Sequence, residues 1–306
     1  MAVFYVMKSP LLLPDPGPLS QGLEPLESMA AKMTGLAEVF DGRVGIYVRH
    51  LKTGEEFRVS ADSLFPTASM VKIPIMLATF AAIERGELPY HGVQIYRDSL
   101  LDPGDDLLGS FSDGEEILLS KLVLLMLTMS DNTASLWLQQ LAGGGEAINS
   151  WLDEAGFTAT RMNTRTEGRR PDWERFGWGQ TSPREMAELV VAIRRGRAVS
   201  PAASQEMYRA LTRTFWDDEA ISELPPWVQA ASKQGAVTNS KSEVVLVNAP
   251  SGDYVFCVIT DEQSDTWWVP DNAGFVLIRT VSRLLWAHFE PDHPWIPERT
   301  GVYQAP

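Results

Sequence analysis

From residue 26 onward the chain alternates between stretches of helical and of strand periodicity. Leu26, Met29, Ala30, Met33, Leu36 and Phe40 recur at helical spacing, with Gly42 as the expected C-cap. Arg43 to Arg49 then alternates charged and apolar positions, Lys52–Thr53–Gly54 reads as a turn, and Glu56 to Ser60 pairs back as a second strand. From about Phe65 to Arg213 the pattern is mostly helical. Leu118 to Met129 is apolar nearly all round and predicts a buried helix, whereas Ala147 to Ala155 and Pro183 to Arg195 each carry one apolar face. Ser182 as N-cap, Pro183 in the first helical position and Glu185 three residues after the cap spell a capping box, ahead of a buried stripe of Met186, Leu189, Val190 and Ile193. Strands return at Val228 to Ser232, Glu243 to Val247 and Tyr254 to Ile259, the last two joined by a turn through Ala249 to Asp253, and Phe275, Ile278, Val281 and Leu285 mark a final helix.

Strands at both ends around a helical middle predict an α+β fold: an antiparallel sheet built from both termini and flanked by helices, plus an inserted all-α region. The expected boundaries are an extended, proline-rich lead-in over 1–24, a sheet region over 25–64 and 214–289, a mainly helical region over 65–213, and a tail over 290–306. No internal repeat is visible. The cleft between the two regions is the expected place for a site.

Composition narrows the function classes. With 306 residues and 44% hydrophobic side chains the chain can bury a real core, which excludes disorder. Lys and Arg number 26 against 40 Asp and Glu, and the formal charge of −14 would repel a phosphate backbone, so no nucleic-acid partner is expected. The longest apolar stretch of interest, Leu122 to Leu127, is far below the roughly 20 residues of a membrane span. The single cysteine, Cys257, excludes an internal disulfide framework and a cysteine-built zinc site; lying in an apolar strand, it reads as a buried core thiol. His50, His91, His288 and His293 are scattered, and there is no P-loop, dinucleotide fingerprint or Gly-x-Ser-x-Gly elbow, so neither metal nor cofactor is expected. In Met1 to Lys8 the positive charge follows the apolar residues, which is not the order of a secretory signal. The expectation is a cytoplasmic, monomeric protein, or a periplasmic or secreted one if a leader has been removed.

Three elements carry chemistry. In Phe65 to Pro74, Ser69 sits at the start of a helix and Lys72 one turn later on the same face, which brings an amine to a hydroxyl. Free N–H groups at a helix start also favour a negative oxygen forming there. Pro74 cannot donate to the carbonyl of Met70, so this turn is expected to be irregular. Deprotonating an ordinary lysine, of pKa about 10.4, at neutral pH costs on the order of 4.6 kcal/mol, so a basic Lys72 must be desolvated or placed beside another cation. The second element, Ser130–Asp131–Asn132, follows the buried helix: Ser130 is placed to relay a proton, Asn132 to bind a substrate amide and hold Lys72, and Asp131 to cap the next helix. The third, Ser232–Lys233–Gln234–Gly235–Ala236, offers a cation for a substrate carboxylate that would also depress Lys72, a glycine for close approach, and the Ala236 N–H as a second oxyanion donor beside that of Ser69.

In order, these elements resemble the signature of class A serine β-lactamases and the related penicillin-binding proteins. Val44 to Val48 with Thr53–Gly54–Glu55, Leu124 to Ala134, Thr181–Ser182–Pro183 and Glu243 to Val247 are similar to landmarks of the same family, which extends the likeness over about residues 25 to 289. The resemblance implies a β-lactamase/transpeptidase-like fold, with Ser69 as acylated nucleophile, Lys72 as proton acceptor and Ser130 as proton shuttle. Asn132, Lys233, Gln234, Gly235 and Ala236 would then be substrate-binding residues. It nominates Glu167, in Arg165–Thr166–Glu167, as activator of the deacylating water. The implied function is a hydrolase opening a β-lactam amide through an acyl-enzyme at Ser69, acting on a small molecule. The alternative is a penicillin-binding, D,D-peptidase or esterase-like relative that acylates but deacylates β-lactams poorly, and a third reading is a binding protein that keeps only the fold.

Several positions depart from the family pattern. The asparagine expected four residues after Glu167 is Pro171, and the aspartate expected to clasp the loop arginine falls at Gly179–Gln180, leaving Asp172 and Glu174 as substitutes for the water-holding groups. Gln234 replaces a threonine or serine. Lys241 and Arg213 are candidate extra cations for the carboxylate pocket, and Phe111 a candidate gate.

Overall fold

The computed structural model describes residues 26–102 and 106–298, so the expected lead-in lies outside the described residues. Helix α1 (Leu26–Val39) leads to β1 (Arg43–His50), β2 (Glu56–Val59) and a short β3 (Phe65–Pro66). The helical part follows with α2 (Lys72–Glu84), β4 (Val93–Ile95), β5 (Glu116–Leu118), α3 (Leu119–Thr128), α4 (Asn132–Leu141), α5 (Gly144–Glu154), β6 (Arg161–Met162), α6 (Arg170–Phe176), β7 (Gly179–Thr181), α7 (Pro183–Arg194) and α8 (Pro201–Leu211). The chain returns through β8 (Ala230–Val237), β9 (Ser240–Val247), β10 (Tyr254–Asp261) and α9 (Ala273–Phe289).

The main sheet has the order β2-β1-β10-β9-β8 and is antiparallel throughout. Its centre joins the two ends of the chain, with Tyr47 of β1 opposite Cys257 of β10. Because successive side chains leave a strand on opposite faces, Ile46, Val48, Val245 and Phe256 pack towards α1 and α9, beside Met33, Ile278 and Trp286. Tyr47, Val244, Leu246 and Cys257 face the helical part, beside Ile75, Met186 and Val190. Both faces are therefore covered, and β9 and β10 read as nearly continuous buried runs. Cys257 is buried as expected, and burial pushes its thiol well above the usual range. No helix among the described residues is long and apolar enough to cross a membrane.

Three local expectations are corrected. Helix α1 ends at Val39, ahead of Gly42, whose φ of +142° lets it pass close to the Asp261 carbonyl. Strand β8 runs on to Val237 and turns through Thr238 and Asn239 into β9, so that Lys233 to Ala236 lie inside an edge strand instead of beyond a strand end. In the capping box, Ser182 Oγ accepts from the Glu185 N–H at 3.2 Å, but the Glu185 carboxylate turns elsewhere. It accepts from the backbone N–H groups of Thr158, Ala159 and Thr160 at 2.7–3.0 Å and from Thr160 Oγ1 at 2.8 Å. It thus ties α7 to the segment that leads into the loop beside the site.

Candidate functional site

Ser69 lies in a 3-10 turn, Ala68–Val71, that runs into α2. With Pro74 two residues inside α2 and lacking an N–H, the approach is tighter than an α-turn, as the sequence implied. Ala68, directly before Ser69, has φ 43°, and Ser130 has φ 60°; both are non-glycine residues in the left-handed region, which is costly backbone held by its surroundings. Met70 and Val71 are buried and anchor the turn. Edge strand β8 passes directly against it. A Cβ on Gly235 would stand 2.7 Å from the Thr67 carbonyl oxygen and 2.8 Å from the Ser69 nitrogen, distances that side-chain carbons do not reach. Gly235→Ala is therefore expected to push Ser69 away from β8 and to slow reaction at Ser69 by about 10²-fold, the scale for a misplacement near 1 Å. Measured rates within threefold of wild type would show that the tight approach is not needed.

Lys72 is fully buried. Its Nζ lies 3.2 Å from Ser69 Oγ, 3.0 Å from Ser130 Oγ and 2.8 Å from Asn132 Oδ1, and also donates to the Ser130 carbonyl. Burial lowers its pKa to about 7, against the opposing pull of Asp106, Asp131 and Asp102. A neutral amine donating to the Ser130 and Asn132 carbonyls keeps a lone pair for a serine hydroxyl. Asp131 is the N-cap of α4, accepting from the Ala134 N–H at 2.8 Å, and its other oxygen accepts from the Leu108 N–H at 3.1 Å. Asp106 accepts from the Thr133 N–H at 2.7 Å, and Thr133 Oγ1 accepts from the Asp102 N–H at 3.0 Å. The roles of Asp102 and Asp106 went unnoticed in the sequence; the available signal was an acidic run upstream of Ser130–Asp131–Asn132.

Lys233 is also fully buried, and its Nζ reaches the same serine from the other side, 3.1 Å from Ser130 Oγ. Its other acceptors are the main-chain oxygen of Gln234, at 2.9 Å, and Gln234 Oε1. Burial, then the nearby Lys72 charge, push its pKa well down, while Glu243 pulls it up. Glu243, opposite Gln234 on β9, is buried and accepts from Ser232 Oγ and, at 2.9 Å, from the Ala220 N–H; burial raises its carboxyl to about 7. Ser69, Lys72, Ser130, Asn132, Lys233 and Gln234 therefore form one hydrogen-bonded cluster, with Gly235 and Ala236 on the strand that walls it. Lys241 and Arg213 do not join it. Lys241 donates to the Val237 carbonyl at 2.5 Å and lies 4.4 Å over the Trp268 ring, and Arg213 is exposed. Phe111 packs edge-on against Tyr96.

Glu167 stands apart from the cluster. It is exposed, and no hydrogen bond joins its carboxylate to Ser69, Lys72 or Asn132 among the described residues. Its backbone N–H is held by Glu146 at the start of α5, where the adjoining Thr166 side chain sits so tightly that a Cβ on Gly145 would meet it at 1.7 Å. Asp172 and Glu174 are engaged by Arg169 and Arg170, at 3.2 and 2.7 Å. The clasp missing from the sequence pattern is rebuilt from different residues: Arg169 donates to Asn163 Oδ1 and Gln180 Oε1, each at 2.9 Å. Among the described residues, no group of three or more His, Cys, Asp or Glu side chains could hold a metal ion.

The family described as "Beta-lactamase enzyme family" matches residues 28–289. A beta-lactamase of Rhodobacter capsulatus is 26% identical over 79% of this chain and 79% of its own length. Among solved structures, a PBP-A variant in its acyl-enzyme complex with penicillin G is 27% identical, with a TM-score of 0.77, covering 88% of this chain and 98% of its own. A beta-lactamase from Sphaerobacter thermophilus is 28% identical at the same TM-score of 0.77, covering 87% of this chain and 99% of its own.

Proposed function

The chain belongs to the beta-lactamase enzyme family and is a β-lactamase-like hydrolase, and on that premise we propose that it opens cyclic amides by forming a covalent acyl-enzyme at Ser69, which it then releases slowly. The observation that carries this reading is the buried Lys72 amine, with a pKa near 7, standing 3.2 Å from Ser69 Oγ and 3.0 Å from Ser130 Oγ. Ser69 Oγ attacks the carbonyl carbon while its proton passes to Lys72. The N–H groups of Ser69 and Ala236 take the oxyanion. The carbon–nitrogen bond then breaks, and the proton moves from Lys72 through Ser130 to the leaving nitrogen. Asn132 orients the acyl side chain through its amide, and Lys233 holds Ser130 in place.

Slow release follows from the position of Glu167. A water attacking the ester needs a base, and in this reading no carboxylate of the loop stands at the Ser69–Lys72 pair to provide one. The penicillin G acyl-enzyme recorded for PBP-A supports the first half of the sequence. The beta-lactamase names of other relatives favour the second reading, full turnover with water activated at Glu167. Following β-lactam ring opening by absorbance separates them. A burst of about one ring per chain and a slow steady phase are expected; a linear, burst-free turnover would support the second reading, and no ring opening would remove both.

A further inference from the structure

On the leaving-group side of the pocket the buried lysine is already engaged. A lysine Nζ has at most three donors, and Lys233 Nζ has three protein acceptors: Ser130 Oγ at 3.1 Å, the Gln234 carbonyl at 2.9 Å and Gln234 Oε1. The lysine is fully buried, so no donor is left for a carboxylate arriving from solvent. Two further cations are committed elsewhere. Lys241 is turned to the Val237 and Thr238 carbonyls and the Trp268 ring, and Arg279 is paired with Glu219 at 2.6 Å. Glu243 sits opposite Gln234 on β9, a buried carboxyl rather than a cation. The Gln234 side chain itself is half-buried, and its Nε2 has no hydrogen-bond partner among the described residues. It is a neutral donor where a cation would otherwise be met. On the Ser130 side, Trp216 Nε1 donates to the Met129 carbonyl at 3.0 Å, and its exposed ring gives that rim an apolar surface.

We infer that Gln234 is a specificity-determining residue that covers Lys233, so that the site favours acyl donors carrying no negative charge on the leaving-group side over those that carry one. This rests on acylation at Ser69 as proposed above. A carboxylate could reach Lys233 only by displacing the Gln234 amide from its hydrogen bond, which is enough to shift selectivity by about tenfold or more.

The test measures acylation rates of the full chain by intact mass with penicillin G and with penicillin G methyl ester, which differ only in that charge. Wild type is expected to react with the ester at least as fast as with the acid. Gln234→Ala, which removes the cover, is expected to raise the acid-to-ester rate ratio about tenfold or more. A wild type that prefers the acid, or a ratio that moves less than threefold in Gln234→Ala, overturns the inference while leaving acylation at Ser69 intact. If Gln234→Ala does not fold, the wild-type ratio decides by itself. No adduct with either compound removes the acylation reading, and this inference with it.

Discussion

Replacing Lys72 with methionine is expected to slow acylation of Ser69 by about 10²–10⁴-fold, the contribution of a positioned proton acceptor. Methionine fills similar space but cannot take the serine proton. The wild-type rate is expected to depend on pH through the same group. Burial lowers Lys72 to about 7, so the neutral, reactive fraction falls about tenfold for each unit below 7 and saturates above it. Burial lowers the Lys72 pKa, and Asp106, Asp131 and Asp102 pull it up, so the position of that limb reports the balance between them. The sign for stability follows from linkage. The unfolded lysine holds its proton up to about 10.5 and the folded one only to about 7, so this group makes the fold more stable as pH rises between the two values. Stopped-flow acylation rates on both sides of pH 7 check the assignment. A flat profile in wild type, or an unchanged limb in Lys72→Met, would assign the proton to another group.

The second large effect is an absence of effect at Glu167. Once formed, the penicillin adduct of wild type is expected to persist long enough for its mass to be recorded, and Glu167→Ala is expected to change its lifetime by less than about twofold. The exposed carboxylate lies in a loop pinned by Glu146 at one point and by Arg169 with Asn163 and Gln180 at another. A surface substitution of this kind normally changes folding stability by no more than about 0.5 kcal/mol, so the variant is expected to fold. The check is the decay of the adduct mass with time after excess penicillin is removed. An adduct that decays quickly in wild type and accumulates in Glu167→Ala would mean that Glu167 reaches the water after all.

Much of the fold was legible because its hydrophobic periods are clean. The alternation in Arg43 to Arg49 became β1, and the all-round apolar segment from Leu118 became α3. Ser69, Lys72, Ser130 and Lys233 were legible as candidates from their residue types and order, and the structure brings them into one cluster. Strand β8 was cut short in the sequence reading because its middle is polar: Ser232 and Lys233 are buried by the site they build, against every expectation from hydrophobicity. The loop before β7 was misread for a different reason. Its clasp depends on Arg169 meeting Asn163 and Gln180, residues six and eleven positions away along the chain, and no local pattern marks such a set. Nor does sequence reveal that burial, opposed by three acidic neighbours, decides the charge of Lys72.

The most direct measurement is a peptide map of the protein after exposure to penicillin G, run beside Ser69→Ala. One penicillin per chain, carried by the peptide that contains Ser69 and missing from Ser69→Ala, is the expected outcome. An unmodified wild type, or the same adduct in Ser69→Ala, would contradict a covalent acyl-enzyme at this serine.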